Sequence, residues 1–270
     1  MMKKLGFLIL ISITLFLGIG FYNCIEITNY SVHDKALPKG FDGYRVVFLS
    51  DLHCKVLGEN ESKLIRAVDS CDPDIVVFTG DMIDGDHTDI SSVRNLFAGL
   101  AGKYPMFAVS GNHEKDYPLN YRKLLEYYEE YGVNNLDNES RMLSLNGSHI
   151  GIYGLPYQNS YYIYKTSYPP DLSANDFNIL LYHDATVFSP ISSYGYNLVL
   201  SGHTHGGIVR IPFIGGMINN NGSLFSEYDN GMYQINGSTL ISNRGIGDSY
   251  FPRFYNRSEV VCITLRTDTE

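Results

Sequence analysis

Five times along this chain an apolar run ends in a residue able to bind a metal ion. Val46-Val47-Phe48-Leu49-Ser50 precedes Asp51-Leu52-His53, the run from Ile75 to Gly80 precedes Asp81, and the run from Phe107 to Gly111 precedes Asn112-His113. Ile179 to Tyr182 then precedes His183, and Leu198 to Gly202 precedes His203-Thr204-His205. Carboxylate, amide and imidazole donors without thiolate suit borderline first-row ions such as Mn²⁺, Fe or Zn²⁺. Residues two apart in extended chain point to one side, so Asp51/His53 and His203/His205 are each spaced to hold one ion. Glycines at 80, 111 and 202 allow sharp turns and close backbone approach. Each motif alone is commonplace: a Gly-Asp is an ordinary turn, and a histidine after a strand is an ordinary hydrogen-bonded residue. The signal is the order of all five.

Open α/β sheets bind ligands outside the carboxyl ends of their strands, so five such ends have to converge on one crevice. The elements that would carry them alternate. A strand from Tyr44 to Ser50 is followed by helical spacing over Asn60 to Cys71, a strand Ile75 to Thr79, a helix Ser91 to Ala101, a strand Met106 to Ser110 and a helix Leu119 to Tyr131. That is an α/β pattern. After Arg141 the helices thin out, and Asn146-Gly147, Asn230-Gly231 and Asn236-Gly237 stand between short apolar runs as hairpin turns do. The second half is therefore expected to be mostly antiparallel, within one catalytic domain that shows neither linker nor repeat.

With 44% hydrophobic and 18% charged residues among 270, the chain can bury a sizeable core. Its formal charge of −9 repels a phosphate backbone, which excludes nucleic acid as a macromolecular partner. Cys24, Cys54, Cys71 and Cys262 lie far apart, so they write neither a zinc ribbon nor a dense disulfide framework, and they leave the redox compartment open. From Leu5 to Ile25 the chain carries no charge, and at about 1.5 Å per residue this stretch spans roughly 31 Å, the thickness of a bilayer's hydrocarbon core. We read residues 1–25 as a membrane anchor and 26–270 as the catalytic domain. A cleaved signal is the alternative, although Gly18-Ile19-Gly20 is a poor cleavage site. Lys3 and Lys4 favour a cytoplasmic start, hence a single-pass protein of the cell membrane with an extracytoplasmic domain, while Lys35 and Lys39 weigh against it. Near-alternation of Ile25, Ile27, Tyr30 and Val32 starts a strand where the anchor ends.

The series D-x-H, G-D, G-N-H, a lone H and G-H-x-H resembles the calcineurin-like metallophosphoesterase superfamily, with the likeness running from about residue 25 to 265. The anchored start, the Gly206-Gly207-Ile208-Val209-Arg210-Ile211-Pro212 stretch and Arg244-Gly245-Ile246-Gly247 are similar to a bacterial and archaeal branch of anchored or exported phosphoesterases, some acting on lipid-linked diphosphates. The resemblance implies an α/β four-layer sandwich of two mixed β-sheets flanked by helices, here preceded by one transmembrane helix. It also implies two divalent ions, one held by Asp51, His53 and His205 and the other by Asn112, His183 and His203, with Asp81 bridging them. A hydroxide between such ions attacks a phosphate ester or diphosphate in line. By the same pattern His113 binds a phosphoryl oxygen or protonates the leaving group, and Asp84 orients it. The alternatives are a further ligand or bystander for His113 and a turn residue for Asp84.

Other hydrolase patterns fail: His203-Thr204-His205 continues into Gly206-Gly207 rather than x-D-H, and neither a phosphate loop nor a G-x-S-x-G elbow occurs. Tyr157, Tyr161, Tyr162, Tyr164 and Tyr168 form an aromatic stretch suited to covering the site or meeting a lipid interface, or to packing on the domain's own surface. Arg210, Arg244, Arg253 and Arg257 are candidates to grip a second phosphate or carboxylate, Arg244 foremost because of its flanking glycine, with surface pairing as the alternative. The leading expectation is a two-metal phosphohydrolase acting on a lipid- or envelope-linked phosphate. The same chemistry on a soluble nucleotide or phosphoprotein is second, and a catalytically silent binding protein is third.

Overall fold

Strand β2 (Arg45–Leu49) shows how the sequence builds the layers. Val46 and Phe48 enter one core while Val47 and Leu49 enter another, and all four are buried. A strand covered on both faces reads as an unbroken apolar run, which is why the alternation is absent here. Val47 and Leu49, with Val76 and Phe78 of β3 (Ile75–Phe78), pack beneath three helices: α2 (Ser62–Ser70), α3 (Ser91–Leu100) and α4 (Pro118–Tyr131). Those helices contribute Leu64, Val68, Leu96, Phe97 and Leu124 to this core. On the other side Val46, Phe48 and Val77 meet Ile152, Ile179, Leu181 and Leu200 from a second sheet. Burying each such side chain contributes about 1.5–3 kcal/mol.

The structure, a computed structural model, describes residues 2–158, 177–219, 222, 224–248 and 252–268. The first sheet has the order β1 (Ile25–Asp34), β14 (Ser258–Thr267), β2, β3, β4 (Met106–Ala108) and β5 (Val133–Asn135). The second has the order β12 (Gly231–Ile235), β13 (Ser238–Ser242), β9 (Leu198–Gly202), β8 (Asn178–Asp184), β7 (Ser148–Gly154) and β6 (Ser140–Leu145). Its outer face is covered by Tyr182, Tyr196 and the short helix Phe188–Ile191. Two mixed sheets lie face to face with helices outside them, which is the expected four-layer α/β sandwich. A separate hairpin pairs β10 (Val209–Ile211) with β11 (Gly215–Ile218).

The second half departs from the mostly antiparallel arrangement that its turns suggest. Pairs β7–β8, β8–β9 and β9–β13 are parallel, whereas β6–β7 and β12–β13 are antiparallel. Asn146-Gly147 and Asn236-Gly237 close those two hairpins, but Gly231 opens β12, so Asn230-Gly231 joins no strand pair. Strands β8 and β9 are buried on both faces and carry no alternation from which their direction could be read.

Helix α1 (Met2–Phe21) lies outside the sandwich, long and apolar enough to cross a bilayer, with 6% of its most apolar window buried. Strand β1 follows after three residues, Tyr22 to Cys24.

Candidate metal centre

Parallel β2, β3 and β4 all run the same way, so the loops after Leu49, Phe78 and Ala108 emerge side by side. Strands β8 and β9 deliver His183 and the 203–205 loop to the same end. The approach is close. A Cβ on Gly202 would lie 2.1 Å from Ser50 Oγ and 2.3 Å from Asp51 Oδ2, so a side chain there would force the 50s and 200s loops apart. Gly80 has φ +96°, and a Cβ on it would lie 2.3 Å from the Gly111 nitrogen.

The ligand residues themselves are not extended. Asp51, His53, Asp81, His203 and His205 have φ between 47° and 71°, a region that non-glycine residues enter at a cost. Asp51 and His53 therefore face one group because the chain curls, not because of strand periodicity, whereas His203 and His205 part, His205 facing His53 and His203 facing His183, so the second pair is not spaced to hold one ion. Backbone bonds hold the curl: Asp51 N–H donates to Gly80 O at 3.0 Å, His53 N–H to Asp81 O at 3.0 Å and Gly247 N–H to Asp51 O at 2.6 Å.

All seven proposed ligands meet. His53 Nε2 lies 3.1 Å from His205 Nε2, which is 3.5 Å from Asp51 Oδ1. His183 Nε2 lies 3.1 Å from Asn112 Oδ1, 3.1 Å from His203 Nδ1 and 3.2 Å from Asp81 Oδ2. Asp81 Oδ2 is also 3.8 Å from His53 Nε2, which places this oxygen between the two groups. Donors bonded to one ion at about 2.1 Å stand about 3.0–3.4 Å apart, so the spacings fit two neighbouring cations. The chemistry fits as well. Nitrogen lone pairs that converge at 3.1 Å repel unless a proton or cation lies between them.

Protonation follows burial. His205 is pushed down to about 3, by burial first. Burial also lowers His53 and His203, so all three are neutral and able to ligate. Burial alone would raise Asp51 and Asp81, but the charge on His183, which burial lowers and Asp81 pushes up to about 10, outweighs it and holds both carboxyls below the usual range. His183 Nδ1–H donates to the Thr79 carbonyl at 2.7 Å, which turns Nε2 toward the centre.

His113 sits at the edge of this group. Its Nε2 is 3.9 Å from Asp81 Oδ2, its side chain is 25% exposed, and its buried Nδ1 has no hydrogen-bond partner among the described residues. Asp84 does not supply that partner, contrary to the expectation from sequence. Its carboxylate accepts from the backbone N–H groups of Asp86 and His87 and lies 2.9 Å from His87 Nδ1, because the Asp84-Gly85-Asp86-His87 turn folds back on it. Both residues line an open cavity of about 680 Å³ with His53, His203, His205 and Lys55.

Two further expectations shift. Arg244 donates to Glu259 at 2.9 Å and Glu26 at 3.1 Å, and Arg210 to Asp229 at 2.8 Å; neither lines the cavity at the ligands. Gly245 approaches Asp51 rather than a substrate, since a Cβ there would lie 2.7 Å from Asp51 Cβ. Arg253 is the arginine that reaches the ligand set: buried, it donates to Gly247 O and Arg244 O and stands 3.5 Å from His205 Nδ1. Tyr157 lies with its ring centroid 5.8 Å from those of His183 and His203, whereas Tyr161, Tyr162, Tyr164 and Tyr168 fall outside the described residues.

Sequence reasoning missed Glu114. Fully buried, its carboxylate accepts N–H groups from Asp81, Met82 and Gly111, each at 2.8 Å, so one side chain fixes the loops carrying Asp81 and Asn112. The available signal was an acidic residue three positions after Gly111, at the start of a helix.

Residues 44–207 match the sequence model of a family described as calcineurin-like phosphoesterase. A metallophosphoesterase of Bacillus subtilis, YkuE, is 32% identical over 254 residues, covering 90% of this chain and 86% of the relative. The Escherichia coli phosphodiesterase YaeI is 24% identical, covering 86% and 84% respectively. A Bos taurus transmembrane protein with metallophosphoesterase domain is 25% identical, covering 89% of this chain and 57% of the relative.

Proposed function

Since the chain belongs to the calcineurin-like phosphoesterase family and is a metal-dependent phosphoester hydrolase, we propose that it is a two-metal enzyme whose substrate is a lipid- or envelope-linked phosphate ester or diphosphate. The convergence of six donors, three on each side of Asp81 Oδ2, supports the two-metal reading. Asp51, His53 and His205 would hold one ion and Asn112, His183 and His203 the other, with the Asp81 carboxylate between the two groups. When bound, such ions activate water and neutralise phosphoryl charge. The chain's own residues supply the rest. His113, half-buried at the cavity edge, carries the proton toward the leaving oxygen. The neutral rings of His53, His203 and His205 bring no competing positive charge, and the buried Asp51 and Asp81 stay ionised. Glu114 and the Thr79 carbonyl keep the donors aimed.

The division into an anchor at 1–25 and a catalytic domain at 26–270 belongs to the same proposal, as does an extracytoplasmic domain at the cell membrane. The apolar α1 supports the anchor. Lys3-Lys4 and a Cys71–Cys262 disulfide support the outer side, because structural disulfides persist in oxidising compartments. A short connection from α1 to β1 holds the cavity close to the bilayer and favours a substrate embedded there.

The test is a hydrolysis screen with the full chain in vesicles and Mn²⁺ supplied, comparing lipid diphosphates, lipid monoesters, nucleotides and diesters. Faster turnover of a vesicle-borne phosphate than of any soluble one is expected. Efficient cleavage confined to soluble phosphoesters would instead establish the second reading, with α1 serving as targeting alone.

A further inference from the structure

The hairpin formed by β10 and β11 carries exposed apolar residues at its tip. At its tip Phe213 is 108% exposed and Ile214 63%, in the turn between Ile211 and Gly215. Such a pair is costly in water, and its position relative to α1 is fixed. Arg210 N–H donates to Phe254 O at 2.9 Å and Phe254 N–H to Ile208 O at 3.2 Å, which joins β10 to the 254 segment. That segment grips the helix: Tyr255 N–H donates to Gly20 O at 2.7 Å and Tyr255 Oη–H to Phe16 O at 3.0 Å. The Phe254 ring stands 5.6 Å from Phe16 and 4.9 Å from Phe21, in the space left by Gly20, where a Cβ would lie 2.2 Å from the ring.

These contacts set a depth. Helix α1 is twenty residues long, about 30 Å, which matches the hydrocarbon core of a bilayer. Contacts at Phe16 to Phe21 therefore put Phe254 and Tyr255 within about 8 Å of one end of that core, the level at which aromatic rings collect. Phe213 shares that level, since it lines with Ile19, Tyr255 and Arg257 a cavity of about 480 Å³ beside the helix. The charges around this cavity differ in their pairing. Arg210 is matched by Asp229 and Arg244 by Glu26 and Glu259, but no ion pair engages Arg257 among the described residues.

We propose that the Phe213-Ile214 tip and Arg257 form a second membrane contact, the tip entering the interface of an anionic phospholipid bilayer beside α1 and the Arg257 guanidinium meeting a lipid phosphate. The proposal rests on α1 spanning that bilayer. Continuity with α1 names the occupant, and the unmatched cation names the lipid charge. Two contacts at different points stop the domain from swivelling about the helix and hold the active-site cavity at a fixed tilt to the surface.

The chain contains no tryptophan, so Phe213→Trp and, separately, Leu10→Trp each make a single-reporter protein. Each full-length variant is reconstituted in phosphatidylcholine vesicles with and without phosphatidylglycerol, using lipids brominated near the headgroup or deep in the acyl chain. The Phe213→Trp variant is expected to emit blue-shifted light and to be quenched most by the shallow bromines, and Leu10→Trp most by the deep ones. Adding Arg257→Glu should lower the bound-to-free ratio of the tip at least about fivefold in the phosphatidylglycerol vesicles, since one basic residue near an anionic surface contributes about that factor. Quenching of Leu10→Trp without quenching of Phe213→Trp would overturn the second contact and leave the anchor standing. Quenching of neither would remove the anchor and the contact together. An Arg257→Glu protein with unchanged quenching would overturn the phosphate contact.

Discussion

The Glu114 carboxylate accepts the backbone N–H of Asp81, the carboxylate bridging the two ligand groups, at 2.8 Å and the N–H of Gly111 at 2.8 Å with the same oxygen. One side chain thus sets the distance between two strand ends. In Glu114→Gln an amide N–H₂ must replace one acceptor and face backbone donors, so unfolding free energy should fall by about 2 kcal/mol. Metal content should fall with it. Urea unfolding and metal per chain by elemental analysis would check both, and an unchanged metal stoichiometry would show that the loops keep their spacing without this clamp.

Asp81→Ala should lose metal and turnover together, because both ligand groups meet at its Oδ2. His113→Ala should keep its metal and lose about 10²–10⁴-fold in kcat, the scale of general acid–base help. Parallel metal analysis and steady-state kinetics distinguish the two. Metal loss in the His113 variant would make it a ligand.

Asp84 and His87 should behave as one unit and His113 as another. The double variant Asp84→Ala/His87→Ala should cost little more in kcat/KM than either alone, since the two side chains are 2.9 Å apart. Asp84→Ala and His113→Ala should instead combine additively, to within about twofold. Strong coupling between Asp84 and His113 in that cycle would restore the orienting role read from the sequence.

Cys54 is buried beside the cavity, and its thiol is pushed up to about 12, by burial first and then by the Asp84 charge. At pH 8 its thiolate fraction is then about 10⁻⁴, against roughly a quarter for an ordinary thiol. Iodoacetamide should label Cys54 only after unfolding. Peptide mapping of native protein that found Cys54 alkylated within minutes would contradict this.

The Cys71–Cys262 bridge closes a separation of 191 residues and ties the end of α2 to β14. Cys71→Ser with Cys262→Ser should lower unfolding free energy by about 4 kcal/mol through the loop it releases. Non-reducing peptide mapping of protein isolated from membranes should recover the linked pair. A free thiol at both positions would weigh against the extracytoplasmic placement.

The fold class was legible in the alternating runs, and the positions of the candidate ligands were more legible than strand direction, for a local reason. Asp51, His53, Asp81, Asn112, His183, His203 and His205 stand where apolar runs stop, and in parallel strands that boundary is also a position in space. The left-handed backbone at five of them was invisible, since no residue type announces it outside glycine. Strand direction was lost in β8 and β9 because burial on both faces erases the period. Arg244 misled because its partners, Glu26 and Glu259, lie 218 and 15 residues away and nothing local marks the pairing.

Strand β1 reaches the first sheet only through β14, which lies between it and β2. The ten-residue parallel register from Ile25↔Ser258 to Asp34↔Thr267 therefore cannot form until residues more than two hundred positions downstream have been synthesised. During biogenesis the segment leaving α1 waits as a bare edge while everything that follows is made. Long-range pairing of this kind is slow, so the last event of maturation is a strand inserting between two others, next to the helix that was made first. A ribosome stalled before Ser258 would leave a protein whose candidate ligand loops are all present but whose first strand hangs unpaired from α1. That species would expose β1 to proteases that the finished sheet excludes.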